Sequence, residues 1–301
     1  MKNHLADLGR VAGLFGLLAL LVWAMDVEAA PATGAAALLG KRAEFQTQLQ
    51  AQPFGEPLVL VSREDGKRLE GDVYAELAQP FARVGTVLSA GESVCGLLFL
   101  HLNVRSCQAS PAAGGEQLTV AAGPKQGANA ATVYSMVYSL RVESRTADYL
   151  RVTLAAASGP LSTSDYRIVF EATPLDDQRT FLHFGYGYTI SSLAKMAMNL
   201  YLATAGRTKI GFTVLGKDPD GRAQHVQGER GSLERNVMRN YLALQAYASV
   251  QTGTPQAQTE ARLRAWFALT ERHSAQLHEL DLEQYLQEKH ADLARMAAPG
   301  S

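Results

Sequence analysis

Four runs of alternating residues between Thr132 and Ile190 constrain the fold of this chain more than any other feature. In each run apolar side chains recur at every second position, which is the period of a β-strand with one buried face. Polar residues, Pro and Gly separate the runs, so the pattern predicts an antiparallel meander packed on a core. The residues expected on the buried face are Tyr134, Met136, Tyr138, Leu140 and Val142; Leu150, Val152, Leu154 and Ala156; Tyr166, Ile168, Phe170 and Ala172; and Leu182, Phe184, Tyr186, Tyr188 and Ile190.

The period changes to that of a helix directly after the fourth run, over Ser191–Thr204. A four-stranded sheet with a large apolar face is unstable alone in water, so we expect this helix to cover it. Further helices are predicted after the capping residues Ser232 and Thr259, and from Leu282 to Ala294. The apolar side of the first helix contains Leu193, Met196, Ala197, Leu200 and Tyr201.

The chain therefore contains a strand (Arg68–Leu77), a small helical segment (Pro80–Leu102), the meander (Gln117–Tyr188) and a packing helix (Ser191–Thr204). That order resembles the START-like (SRPBCC) superfamily of lipid-transfer and polyketide-cyclase domains. The resemblance covers about Glu56–Leu215 and implies an α+β fold. In that fold a curved antiparallel sheet grips a helix around an apolar cavity, and here C-terminal helices follow.

A second resemblance is to a group of exported proteobacterial proteins of unknown function. The segments Gly206–Phe212, Glu234–Arg239 and Gln276–Glu279 carry it. The expected organisation is an N-terminal linker and helix (31–55), the helix-grip domain (56–215) and a helical extension packed on it (216–296).

The N-terminus has the three-part layout of a secretory signal peptide over residues 1–30. Lys2 and Arg10 precede an apolar run, Val11–Met25, and small residues at Val27 and Ala29 suit cleavage. The run has 15 residues, fewer than the ~20 that a spanning helix needs. We expect a periplasmic or secreted protein; the alternative is an inner-membrane anchor formed by the uncleaved segment.

The chain has two cysteines, Cys95 and Cys107. In an oxidising compartment an even pair is most simply a disulfide. In the chain-entropy model, a disulfide that closes a loop of this size stabilises the fold by ~3 kcal/mol. Two buried free thiols are the alternative.

Aromatic side chains on the predicted buried face are the first candidate ligand-binding residues. Tyrosine hydroxyls in an apolar wall are typical of small-molecule sites. The same side chains would equally fill a solid core, and the sequence leaves both interpretations open. The candidates are Tyr134, Tyr138, Phe184, Tyr186, Tyr188 and Tyr201.

A cluster of cationic and amide side chains is the second candidate. Arginine forks bind carboxylate or phosphate groups, so the cluster could hold an anionic headgroup at the mouth of the cavity. The alternative is a salt-bridge network that pins a helix to the sheet, with Glu229 and Glu234 as partners. The candidates are Arg207, Lys209, Arg235, Asn236 and Arg239.

The remaining patterns exclude several classes of function. The net charge of −1 argues against a nucleic-acid binder. The spacing around His278 is not His-Glu-x-x-His, because position 282 is Leu, so we predict no metal site. No catalytic residue and no cofactor are predicted, and membrane contact is expected only through an uncleaved N-terminal segment.

The expected function is therefore non-catalytic binding of a hydrophobic or amphipathic small molecule, such as a lipid. One alternative is an envelope enzyme of the cyclase or hydrolase type that uses the arginine cluster or His183. The other is an assembly protein that docks a partner through C-terminal helices around Trp266, Phe267 and Tyr285.

Overall fold

Eight antiparallel strands form one curved, unclosed sheet in the computed structural model. The sheet order is β1-β2-β8-β7-β6-β5-β4-β3, so the chain's first strand lies at one edge and its third strand at the other. The strands are β1 (Leu58–Asp65), β2 (Arg68–Leu77), β3 (Val104–Ala112), β4 (Gly115–Ala122), β5 (Tyr134–Arg145), β6 (Leu150–Ser158), β7 (Ser164–Pro174) and β8 (Thr180–Thr189). The predicted meander is confirmed as β5–β8.

The chain divides into two units, Met1–Pro31 and Ala32–Ser301. The structure describes residues 33–123, 133–204 and 206–298 of the second unit, without the side chains of residues 201 and 202. The predicted signal segment lies outside these residues. Both hydrophobic clusters of the second unit are built from residues at position 35 and beyond, so this unit has its own core.

Nine α-helices lie among the described residues, together with a short hairpin. The helices are α1 (Ala35–Glu44), α2 (Gln46–Ala51), α3 (Phe81–Leu88), α4 (Gly91–Phe99), α5 (Ser192–Ala203), α6 (Gly228–Ser249), α7 (Pro255–Glu271), α8 (Ser274–Leu277) and α9 (Leu282–Ala297). The hairpin strands are β9 (Val214–Lys217) and β10 (Ala223–His225). None of these helices is both long and apolar enough to cross a bilayer.

The helix gripped by the sheet is α6, not the predicted helix after the meander. Helix α6 contacts β1, β2 and β8 on one side and α3, α4 and α7 on others, and 15 of its 22 residues are buried. Helix α5 forms where it was expected, but Leu193, Met196 and Leu200 are 49%, 65% and 68% exposed. The apolar stripe of α5 therefore faces away from the core.

Helix α6 lies very close to the sheet at Gly71 on β2. A Cβ atom there would lie 2.8 Å from Cγ2 of Val237 and 3.4 Å from a methyl group of Leu233, both on α6. Because real Cβ contacts are longer than this, only a residue without a side chain lets the helix lie so close.

The C-terminal helices belong to the same core. The indole N–H of Trp266 donates to the carbonyl of Arg239 on α6 at 3.0 Å. On α9, the Tyr285 hydroxyl donates to the Leu100 carbonyl at 2.8 Å, and Lys289 Nζ donates to the carbonyls of His101 and Val104 at 2.8 and 2.6 Å. Burial lowers the pKa of Lys289 to about 7. These helices thus cover the end of α4 and the β3 edge of the sheet.

Cys95 on α4 and Cys107 on β3 are bonded to each other, which confirms the predicted disulfide. Strand β3 itself was not predicted, because Val104–Ala112 has no alternation of large apolar residues and lies at a sheet edge. The bond fastens this edge strand to a buried helix.

Gly71→Ala tests the contact between α6 and the sheet. Because the new methyl group would force Val237 or the β2 backbone to shift, we expect a loss of ~1–3 kcal/mol in the free energy of unfolding. The measurement is chemical denaturation. Gly40→Ala is the matched control: that exposed α1 position has no neighbour within 4 Å, and we expect no loss. Equal stability of Gly71→Ala and wild type would contradict the packing.

Candidate ligand-binding site

Four tyrosines converge on the inner face of the sheet, the face toward α6. Tyr138 lies on β5, Tyr166 on β7, and Tyr186 and Tyr188 on β8. The ring of Tyr166 is stacked on Tyr188 with centroids 5.2 Å apart, and it lies 6.4 Å from Tyr138 and 6.3 Å from Tyr186. We call these four residues the tyrosine cluster.

Strand alternation and register bring the cluster together. Alternate residues of β8 share a face, which places Tyr186 and Tyr188 on the same side. Tyr186 is opposite Ile168 on β7, and the same register continued two residues along sets Tyr166 beside Tyr188. Tyr166 was on the predicted strand face but not among the predicted site residues, because this register is not visible in the sequence.

The tyrosine cluster packs against the core, but its side chains are not all fully buried. Tyr138 and Tyr166 are buried, whereas Tyr186 and Tyr188 remain partly accessible. Burial raises the pKa of all four hydroxyls, and their mutual proximity adds to this for Tyr138, Tyr186 and Tyr188. The hydroxyls are therefore neutral near pH 7, which suits them to hydrogen bonding rather than proton transfer.

Asn236 brings a polar group from α6 to the cluster. Its side chain lies within reach of both the Tyr186 hydroxyl and the His101 imidazole. Nδ1 of His101 accepts from the backbone N–H of Asn103 at 3.1 Å, and its Nε2 has no partner at hydrogen-bonding geometry. Burial, with the charges of Arg239 and Lys289, lowers the pKa of His101 to about 3, so this imidazole is neutral.

His101 was not a predicted site residue. It follows α4 in a loop, and nothing in the local sequence marks its approach to α6. Among the other predicted aromatic residues, Phe184 is 1% exposed and packs on Phe170, whereas Tyr134 at the start of β5 is 41% exposed. Tyr201 falls in α5, but its side chain lies outside the described residues.

Three of the four predicted cations are engaged with groups other than the tyrosine cluster. Arg239 donates to Glu279 at 3.0 Å and to the Leu277 carbonyl at 3.1 Å, and Lys209 Nζ lies 3.1 Å from the second oxygen of Glu279. Arg235 donates to the Ile210 carbonyl at 3.2 Å. The network fastens α6 to the segment between α8 and α9, and Arg207 is exposed apart from it.

The acidic partners predicted for this network, Glu229 and Glu234, have different roles. Glu234 is fully buried and accepts from the backbone N–H groups of Phe212 and Thr213 at 2.6 and 2.9 Å, and from the Ser62 hydroxyl. It therefore ties α6 to β1 and to the chain before β9. Glu229 is buried near Lys195 of α5, whose Nζ lies 3.5 Å away.

His183, the residue singled out for a possible enzyme, lies on the outer face of β8. Its Nδ1 is 2.7 Å from a Glu171 oxygen, its Nε2 is 2.8 Å from an Asp72 oxygen, and its ring is stacked on Tyr74 with centroids 4.5 Å apart. Both ring nitrogens are thus occupied, on the side of the sheet opposite the tyrosine cluster.

Neither a protein-family model nor a curated protein matches this chain. Several solved structures are similar to parts of it. A START superfamily protein from Mycobacterium smegmatis has 16% identity, with 49% of this chain and 95% of that chain covered and a TM-score of 0.31. An aromatase/cyclase from a Streptomyces species has 15% identity, coverage of 81% and 99%, and a TM-score of 0.31. A protein from Thermus thermophilus has 11% identity, coverage of 61% and 99%, and a TM-score of 0.39.

The fold is a START-like helix grip. Two short helices follow β2, a run of antiparallel strands comes next, and the curved sheet packs against one long helix, α6. Strand β1 extends the sheet beyond β2, and α5 with the hairpin is inserted between the last strand and the gripped helix. These features of the chain carry the assignment of the fold. Neighbours of such low identity and TM-score say nothing about what this chain binds.

The His183 network predicts a pH dependence of stability. Burial alone would lower the pKa of His183, but the hydrogen bonds and charges of Asp72 and Glu171 outweigh it and raise the pKa. A raised folded-state pKa stabilises the protein fully below the unfolded value of about 6.5, and this stabilisation is lost as pH rises through the folded value.

We therefore expect the free energy of unfolding of wild type to fall, relative to His183→Gln, as pH rises from about 6.5 through the folded-state pKa of His183. Denaturation curves at several pH values measure it. His290→Gln, on the exposed surface of α9, is the control and should follow wild type. Parallel curves for wild type and His183→Gln would show that the network does not hold a raised pKa.

Proposed function

We propose that this protein binds a hydrophobic or amphipathic small molecule of lipid-like character at the tyrosine cluster, without catalysing a reaction. The observation that carries the proposal is the convergence of four neutral hydroxyls inside an otherwise apolar sheet face, two of them on partly accessible side chains. Apolar walls with a few oriented polar groups are typical of small-molecule sites.

The polar end of the ligand is expected to be uncharged. The Tyr186 hydroxyl and the Asn236 amide offer hydrogen bonds to a hydroxyl, carbonyl or amide group. Arg239 and Lys209 are both bound to Glu279, and Arg235 donates to a carbonyl. Moving one of these cations to an anionic headgroup would break an existing partly buried pair, which is costly. This supports the structural interpretation of the cation cluster.

We further propose that the protein acts outside the cytoplasm. The signal-peptide pattern of residues 1–30 supports this, and the Cys95–Cys107 bond is compatible with an oxidising compartment.

The geometry does not favour the two alternative functions, an envelope enzyme that uses His183 and an assembly protein that docks a partner through its C-terminal helices. His183 has both ring nitrogens bound to carboxylates on the outer face, which leaves neither for a substrate at the tyrosine cluster. Of the three residues proposed for docking, Trp266 and Tyr285 are each 2% exposed and pack against each other, and Phe267 is partly buried beside Tyr285. Trp266 and Tyr285 are therefore core residues rather than parts of a docking surface.

Binding of N-phenyl-naphthylamine, a neutral apolar fluorophore with one N–H donor, tests the proposal. We expect the probe to be bound, and Tyr186→Phe to weaken it by about fivefold through loss of one hydrogen bond. Tyr188→Ala should weaken it further by removing a wall. Tyr247→Phe is the matched control, because that tyrosine lies on α6 in a separate groove of about 530 Å³ beside Cys95 and Phe99.

Native mass spectrometry of protein purified from its own cell envelope gives a second readout. Wild type should carry a bound apolar species that Tyr188→Ala lacks. The proposal fails if wild type binds no probe and carries no such species, or if both cluster variants retain full binding while folded.

A further inference from the structure

The segment from Ser191 to Lys217, between β8 and α6, gathers exposed apolar side chains. Ten large hydrophobic residues are exposed among the described residues, and five of them lie in this segment. Surface apolar residues that occur singly need no explanation, but a concentration of them marks an interaction site. The five are Leu193, Met196, Leu200, Val214 and Leu215.

Three of these side chains form one face of α5. Leu193, Met196 and Leu200 are spaced by three and four residues, which places them on the same side of a helix. The opposite side is held to the protein: Ala194 is buried, the Ser191 hydroxyl donates to the Leu161 carbonyl, and Lys195 lies 3.5 Å from Glu229. The apolar face is therefore held outward by the fold.

The same segment is basic. Residues 191–217 contain four cationic side chains and no Asp or Glu, in a chain whose net charge is −1. Lys195 and Lys209 lie near Glu229 and Glu279, whereas Arg207 and Lys217 are exposed. An apolar helix face accompanied by cations is the chemistry of a helix that lies in the interface of an anionic membrane.

We propose that the segment 191–217 docks this protein onto the surface of an anionic phospholipid bilayer. Leu193, Met196 and Leu200 enter the interface, and Arg207 and Lys217 face the phosphate groups. The proposal is independent of the proposed ligand, since it uses none of the residues of the tyrosine cluster.

Charge decides between a bilayer and a second copy of this chain. In a two-fold symmetric dimer the same patch faces itself, so Arg207 and Lys217 of both copies would be brought together. Like charges facing each other across an interface are unfavourable, whereas phosphate groups neutralise them. The complementary surface is therefore an anionic one.

The test uses protein that starts at Ala32, because the apolar run Val11–Met25 would bind vesicles by itself. Vesicles of phosphatidylglycerol mixed with phosphatidylethanolamine are compared with vesicles of phosphatidylcholine alone, by co-sedimentation. We expect binding to the anionic vesicles, weakened about tenfold or more in M196S/L200S, because two apolar side chains no longer enter the interface. The control L39S/V137S replaces two exposed apolar residues elsewhere and should bind as wild type does.

A second pair of variants, in which exposed arginine or lysine residues are replaced by glutamate, separates the electrostatic contribution to vesicle binding from the apolar one. R207E/K217E should lose the preference for anionic over zwitterionic vesicles, whereas R141E/R145E, on exposed positions of β5, should keep it. Thermal denaturation confirms that the variants are folded.

Three results would overturn the proposal: wild type that binds neither kind of vesicle, M196S/L200S that binds like wild type, or R207E/K217E that keeps the anionic preference. Loss of self-association or of a protein partner in M196S/L200S, without any vesicle binding by wild type, would assign the face to a protein instead. Failure here leaves fluorophore binding at the tyrosine cluster unaffected, so the two proposals are tested separately.

Discussion

The burial of α6 between the sheet and the other helices is the contact on which the rest of the structure depends. Its residues meet β2 at Gly71, α7 through the Arg239 carbonyl and β1 through Glu234. A helix in this position must satisfy its charged side chains internally, because water does not reach them. Glu234 and Arg235 are accordingly bound to backbone groups of the inserted segment, and Glu279 reaches back to Arg239. The C-terminal helices are part of this arrangement rather than an appendage.

The two faces of the sheet use polar residues in opposite ways. On the outer face, His183 is surrounded by Asp72 and Glu171, and charge is balanced by charge. On the inner face the tyrosine cluster is neutral, and its polarity comes from hydroxyls and the Asn236 amide. Because a saturated ionic network has nothing left to offer a ligand, whereas neutral hydroxyls beside accessible surface do, the proposed binding site lies on the inner face.

The alternating pattern predicted β5–β8 because a half-buried strand must alternate, and it predicted that Tyr138, Tyr186 and Tyr188 share a face. The gripped helix could not be identified in the same way. Helix α6 has an apolar side, but it is buried on several sides and also contains Glu234, Arg235 and Arg239, so its pattern did not mark it as the gripped helix. Helix α5 has such a stripe, which is exposed instead. The pairing of Tyr166 with Tyr188 depends on the register of β7 against β8, and the position of His101 on the packing of a loop against α6. Neither can be read from the sequence.

Hydrogen exchange resolved along the chain tests most directly whether α6, and not α5, is the helix held by the sheet. Amides of α6 between Leu233 and Ala248 should exchange only through global unfolding, because both sides of that helix are covered. Amides of α5 should exchange through much smaller openings, since one face of that helix is in solvent. Protection of α5 equal to that of α6, or rapid exchange within α6, would contradict the account.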